Sequence, residues 1–180
     1  MSLSVWCYLL GLIGLFAGLS AAAAPASLSR TLKALPRSPA AGYALSTVAW
    51  IWAGYALWNM NLDFMMPYQK LIPIAVLVCI PLTWFWLDNL LPCRAIGGLL
   101  TLFPYELLHV ARVHASPGRL VVVLFAYLCI VAGMVLLLYP WKLRQMIAWL
   151  TARVARVRWA GVAVAFAGAA FIALGATVLR

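Results

Sequence analysis

An all-α polytopic membrane bundle of about six transmembrane helices, with one or two amphipathic helices at the interface, is the architecture this amino-acid sequence predicts. Three observations lead there. Val5–Ala24, Leu120–Tyr139 and Trp159–Leu179 are runs without a formal charge, each of about 20 residues, the length a helix needs to cross a ~30 Å hydrocarbon layer. Hydrophobic residues make up 67% of the 180-residue chain and charged residues 9%, far from the balance of a soluble domain. Acids number three (Asp63, Asp88, Glu106) against thirteen Lys and Arg, and the basic residues sit mainly beside apolar runs. That placement points to anionic lipid headgroups and argues against nucleic acid as the partner of a net charge of +10.

The chain reads as a single transmembrane domain over 1–180. The first span covers 5–24 and ends in Ala21–Ala24. It resembles a secretory signal, yet residues 1–6 carry no Lys or Arg and Pro25 follows the likeliest cleavage point, so a retained helix is expected. An interfacial helix over 26–36 follows, alternating Leu28, Leu32 and Leu35 with Arg30, Lys33 and, just beyond it, Arg37. The second span, 43–60, holds Trp50, Trp52 and Tyr55 at depth; these are read as packing bulk, with contact to a pigment, quinone or haem as the alternative. No cofactor is predicted. The loop after it gathers Asn59, Asn61, Asp63 and Lys70 with Met60, Met65 and Met66, in a spacing that matches no copper motif.

The third span covers 71–88. Segment 95–111 is the doubtful one, since it contains Gly97, Gly98, Pro104, Glu106 and His109. Charge placement arbitrates. If it crosses, Arg30, Lys33, Arg37, Arg94, Lys142, Arg144, Arg153, Arg156 and Arg158 share one side and Lys70, Arg112, Arg119 and Arg180 the other, nine against four; if it does not, the division is seven against six. Basic residues gather on the cytoplasmic side, so six spans are expected, with both termini outside a bacterial-type inner membrane and a re-entrant 95–111 as the alternative. Spans 120–139 and 159–179 complete the set. Trp58, Tyr68, Trp84, Trp86, Tyr139, Trp141 and Trp159 fall at or near span ends, where amphipathic rings favour the headgroup layer.

A second interfacial helix is expected over 141–157. At 100° per residue Leu143, Met146, Ile147, Leu150, Val154 and Val157 share one face. Lys142, Arg153 and Arg156 lie opposite, with Arg144 on the flank and Arg158 just past the end. Such a face suits anionic lipid, or a groove on a partner protein. The two connectors also belong to a repeated unit. Gly18 precedes Pro25 by seven residues and Gly133 precedes Pro140 by seven; each proline opens a basic segment followed by a glycine (Gly42, Gly161) and another span. Both connectors fall on the same side, as parallel repeats would.

Gly133–Leu174, with Leu138-Tyr139-Pro140, then Lys142, Arg144 and Met146, then Gly161 and Gly168, resembles short two-helix inner-membrane proteins of unknown function found beside stomatin-like regulators of a membrane protease. The resemblance implies a small accessory membrane protein without catalytic residues.

For chemistry, Glu106 is the one acid inside a predicted span, and His109 follows at i+3 on the same helix face. An ionisable group at membrane depth costs at least ~2.5 kcal/mol unless paired or hydrated, which makes the pair a candidate proton relay; the alternative is a structural bond to each other or to Arg112. Cys7, Cys79, Cys93 and Cys129 stand singly, and no metal site is predicted. Gly14 and Gly18, with Ala22, and Gly161, Ala165, Ala169 and Ala173 form rows four residues apart that let helix backbones approach. They are expected to pack on other helices, within the chain or in other subunits. No Ser–His–acid set or phosphate-binding glycine loop occurs. The reading is a non-catalytic accessory or scaffold subunit of a larger membrane complex, with a small transporter or proton conductor using Glu106 and His109 as the alternative.

Overall fold

Apolar runs punctuated by proline give helices joined by short corners. A computed structural model of the chain describes residues 3–60, 69–86, 90–113, 116 and 118–177, and every regular element among them is helical. In chain order these are α1 (Leu3–Ala23), α2 (Pro25–Ala34), a 3-10 turn (Leu35–Arg37), α3 (Pro39–Asn59), α4 (Ile72–Trp86), α5 (Leu91–Val113), α6 (Arg119–Leu138), α7 (Pro140–Thr151) and α8 (Val154–Thr177). Four helices are long and apolar enough to cross a membrane: α1, α4 with the turn before it (Gln69–Trp86), α6 and α8. In α3 the Gly, Ser, Thr, Trp and Tyr content dilutes the apolar run, and α5 carries Arg94, Glu106 and Arg112.

Prolines open α2, α3 and α7 at their first turn, where the missing N–H is one the helix would leave free anyway. Ser38 adds a side-chain cap to α3, its Oγ accepting from the Ala41 N–H at 3.3 Å. Two of the corners are one residue long and nearly superimposable in conformation: Ala24 (φ −128°, ψ 59°) between α1 and α2, and Tyr139 (φ −124°, ψ 68°) between α6 and α7.

The closest packing is α1 on α8, antiparallel. A Cβ on Gly18 would collide with the Ala165 backbone and lie 2.6 Å from the Gly161 oxygen; one on Gly168 would lie 2.7 Å from the Gly11 oxygen. Gly175 faces Cys7 and Ser4 further along the same seam. Such close approach of backbones gains dispersion contact, the kind of drive that is left to helices in lipid. The small residues therefore do pack helix on helix, but not in the rows expected. Ala165 joins the seam and Gly14 reaches Gly168, whereas Ala169 and Ala173 are exposed. The contact runs through Gly161, Gly168 and Gly175. A four-residue step drifts by ~40° and leaves the seam; a seven-residue step drifts by only ~20°, which gentle supercoiling absorbs.

A second antiparallel pair is α5 on α6, closed at Gly97 and Gly133: a Cβ on Gly133 would sit 2.7 Å from the Gly97 oxygen and 2.9 Å from the Thr101 nitrogen. Helix α3 packs on α5, and α4 packs on α3, where the Trp84 indole donates to Ser46 Oγ at 3.2 Å.

Two core clusters mark the ends of the bundle. At one, Leu3 and Cys7 of α1 meet Leu107 and Ala111 of α5 and Val122 and Ala126 of α6, with Phe171 and Leu174 of α8 against them. The start of α1 and the last turns of α8 therefore share an end. At the other, Cys93 and Leu136 meet Leu143 and Ile147 of α7, with Leu32 of α2 alongside. Both short helices lie there together, as the parallel-repeat reading expects.

The helix expected over 141–157 ends at Thr151, and Val154 and Val157 belong to α8. The break is stabilised locally. Arg156 reaches back to donate from Nη1 to the Trp149 carbonyl at 3.0 Å, and its guanidinium lies 4.5 Å from the Trp149 ring centroid. A carbonyl left free by the helix end is thus capped by a cation, which the amphipathic pattern alone does not reveal.

Candidate functional site

The α2–α7 layer concentrates the basic residues. Leu143 and Ile147 are buried against the bundle, and Met146 and Trp149 stay exposed at 61% and 62%. The apolar face therefore splits between protein and surroundings. Arg30, Lys33, Arg37, Lys142, Arg144, Arg153 and Arg158 are exposed, while Arg156 is half-buried at its cap. Between the two helices opens a cleft of about 480 Å³, lined by Lys33 and Arg37 on one side and Trp141, Arg144 and Gln145 on the other. Lys142 Nζ lies 4.8 Å above the Trp141 ring, which in turn stands edge-on to Tyr139.

Three exposed cations line this one cleft. Among the described residues Glu106 is the one acid, and it sits in the distal half of α5, away from this layer. The arrangement can hold a phosphate or carboxylate by charge and by the donors of two guanidinium groups. Trp141 provides the amphipathic ring found where apolar chain meets headgroup.

Glu106 and His109 do not form the pair expected of them. Glu106 is half-buried with no hydrogen bond or ion pair among the described residues, and His109 is exposed beside the Tyr105 ring at 6.4 Å. Residues at i and i+3 share a helix face only broadly, and here one turns toward the bundle and the other away. Continuing the register of Thr101 beside Gly133 brings Glu106 level with the middle of α6. Residues 61–68, with Asn61, Asp63, Met65 and Met66, lie outside the described residues, as does Asp88.

The aromatic trio also separates. Trp50 lines a cavity of about 400 Å³ among α3, α4, α5 and α6, Trp52 is half-buried, and Tyr55 is exposed beside a groove between α3 and α4. Arg94 lines the same cavity as Trp50, with its Nε buried and without a hydrogen-bond partner. Charge counting registers Arg94 only as one more inner-side cation; its position in the fourth place of α5, inside a helix rather than a loop, is the signal that marks it out. No group of three or more His, Cys, Asp or Glu side chains gathers among the described residues.

No family model matches this chain, and no curated protein or solved structure is significantly similar to it.

Proposed function

We propose that this chain is a six-span, non-catalytic accessory protein of a bacterial-type inner membrane, a scaffold within a larger membrane assembly whose α2–α7 layer rests on anionic headgroups of the inner leaflet. The observation that carries the reading is the cleft where Lys33, Arg37 and Arg144 converge beside Trp141. The six spans are supported by α3 and α5 running between the same two ends as the four apolar helices, with Gly42 of α3 against Pro92 at the basic end and Leu107 of α5 in the distal cluster. Both termini then lie outside, opposite the basic layer. The small-residue seams are consumed inside the chain, so contact with further subunits would use the exposed apolar faces that the long helices share, among them Phe16, Phe85, Leu138 and Phe166.

Each cation near an anionic surface contributes on the order of 1 kcal/mol. Replacing Lys33, Arg37 and Arg144 together by Gln is expected to weaken retention of phosphatidylglycerol by native mass spectrometry on the order of 100-fold. Unchanged retention overturns the surface assignment. Copurification with other membrane proteins in mild detergent supports the scaffold role, and a stable lone monomer counts against it.

A second reading, a proton-conducting protein, is favoured by one observation: Glu106 is half-buried among helices without a partner among the described residues. Glu106→Gln in proteoliposomes separates the two. A scaffold leaves proton flux at the level of empty vesicles before and after the change, whereas a conductor loses its flux.

A further inference from the structure

The cavity of about 400 Å³ among α3, α4, α5 and the last turn of α6 is distinct from the basic cleft. Its volume falls within the range of small-molecule sites, and its lining is mainly apolar, including Ala49, Ala53, Leu91 and Leu102. The polar groups in that lining are mostly satisfied from within. Ser46 Oγ donates to the Tyr43 carbonyl and accepts from Trp84; Thr83 Oγ1 donates to Ile80 O and Thr101 Oγ1 to Gly98 O.

Arg94 is the exception. It is the one charged side chain in the lining, and its Nε is buried with no acceptor among the described residues. The one acid among the described residues, Glu106, stands twelve residues further along the same helix, a rise of ~18 Å. Arg94 also occupies the first turn of α5, where the helix dipole disfavours a cation and favours an anion. The cavity lies on the basic side of the bundle, since the α5 N-terminus abuts Gly42 near the start of α3. From there it follows α3 through Ser46, Trp50 and Ala53 toward mid-bundle. A Cβ on Gly98 would meet only Ala49 Cβ, at 3.9 Å, an ordinary van der Waals contact, so a methyl fits there without displacing a neighbour.

We propose that this cavity binds a single-chain amphiphile with an anionic head, carboxylate or phosphate, the head paired with Arg94 and the tail lying between α3 and α5. The inference does not depend on the scaffold role. A fatty acid and a lysophospholipid share this chemistry and are distinguished by competition.

The test uses the full chain in nanodiscs of zwitterionic phosphatidylcholine, titrated with chain-brominated palmitate. Quenching of Trp50, isolated as the difference between the wild-type chain and Trp50→Phe, is expected to saturate. Unlabelled palmitate or lysophosphatidylglycerol should displace the probe, and hexadecanol should compete at least tenfold less well. Displacement by palmitate alone assigns a free fatty acid, and by lysophosphatidylglycerol alone a membrane phospholipid product. Arg94→Gln should weaken the saturable component at least tenfold. Gly98→Leu, which fills the cavity and leaves Arg94 in place, should abolish it with the melting temperature retained; this second variant keeps the proposal testable should Arg94→Gln fail to fold. Equal competition by hexadecanol, or undiminished saturation in either variant, overturns the proposal.

Discussion

The units α1–α2–α3 and α6–α7–α8 share an order of elements: a long helix, a one-residue corner before proline, a short basic helix, a second long helix. Even the corner dihedrals agree, at (−128°, 59°) and (−124°, 68°). They differ in the closing helix. In α8 the seven-residue row is Gly161, Gly168 and Gly175, and α8 meets the backbone of α1. In α3 the corresponding row is Gly42, Ala49 and Ala56, and Ala49 stands 3.9 Å from where a Cβ on Gly98 would lie. One methyl group per two turns separates a sealed seam from a helix pair with room for a ligand. Backbone distance here follows the presence of a Cβ rather than overall hydrophobicity.

The largest expected effect is on the sealed side. Gly18→Val drives its branched side chain into the Ala165 backbone and should destabilise the bundle by about 3 kcal/mol or more, read as a lower midpoint of detergent-induced unfolding. Next comes Gly133→Ala, whose methyl would lie 2.6 Å from Thr101 Cγ2 and 2.7 Å from Gly97 O; a loss of about 1–3 kcal/mol is expected by the same measurement. Arg156→Ala removes the cap on Trp149 and should cost about 1 kcal/mol, with faster deuterium exchange confined to the last turn of α7. Smallest, and opposite in sign, is Gly98→Ala. Its methyl finds ordinary contact, so the gain in helix propensity should raise stability by about 0.5–1 kcal/mol. A destabilising Gly98→Ala shows that α3 and α5 pack as tightly as α1 and α8.

Helices and corners were legible because they depend on local chemistry: apolar length, proline at a first turn, glycine seven residues before it. All-helical architecture followed from these, and the shared location of both basic helices from the placement of Lys and Arg. Contacts between helices were less legible. Ala169 and Ala173 fit a four-residue row on paper, but which face of α8 meets α1 depends on drift accumulated over several turns. The spacing of Gly161, Gly168 and Gly175 was present to be read, and it marks the seam. The α7 boundary escaped because Val154 and Val157 continue an apolar period across a break that Arg156 caps from α8. Glu106 and His109 differ in surroundings, one half-buried and the other exposed, a difference that depends on which side of α5 the other helices cover and is not written in their spacing. The orphaned Nε of Arg94 is a tertiary fact, visible only once α3 and α4 are folded around it.

The one-residue corners at Ala24 and Tyr139 have a mechanical outcome. A residue preceding proline is disfavoured in the helical region, so the chain breaks at each corner into an elbow between two helices. In the membrane setting proposed above, the two short helices would act as outriggers held by those elbows, and the bundle's depth in the bilayer would be set by where they float. Lengthening either elbow by a flexible glycine would uncouple the two, letting the bundle ride deeper or shallower while its outriggers stay at the waterline.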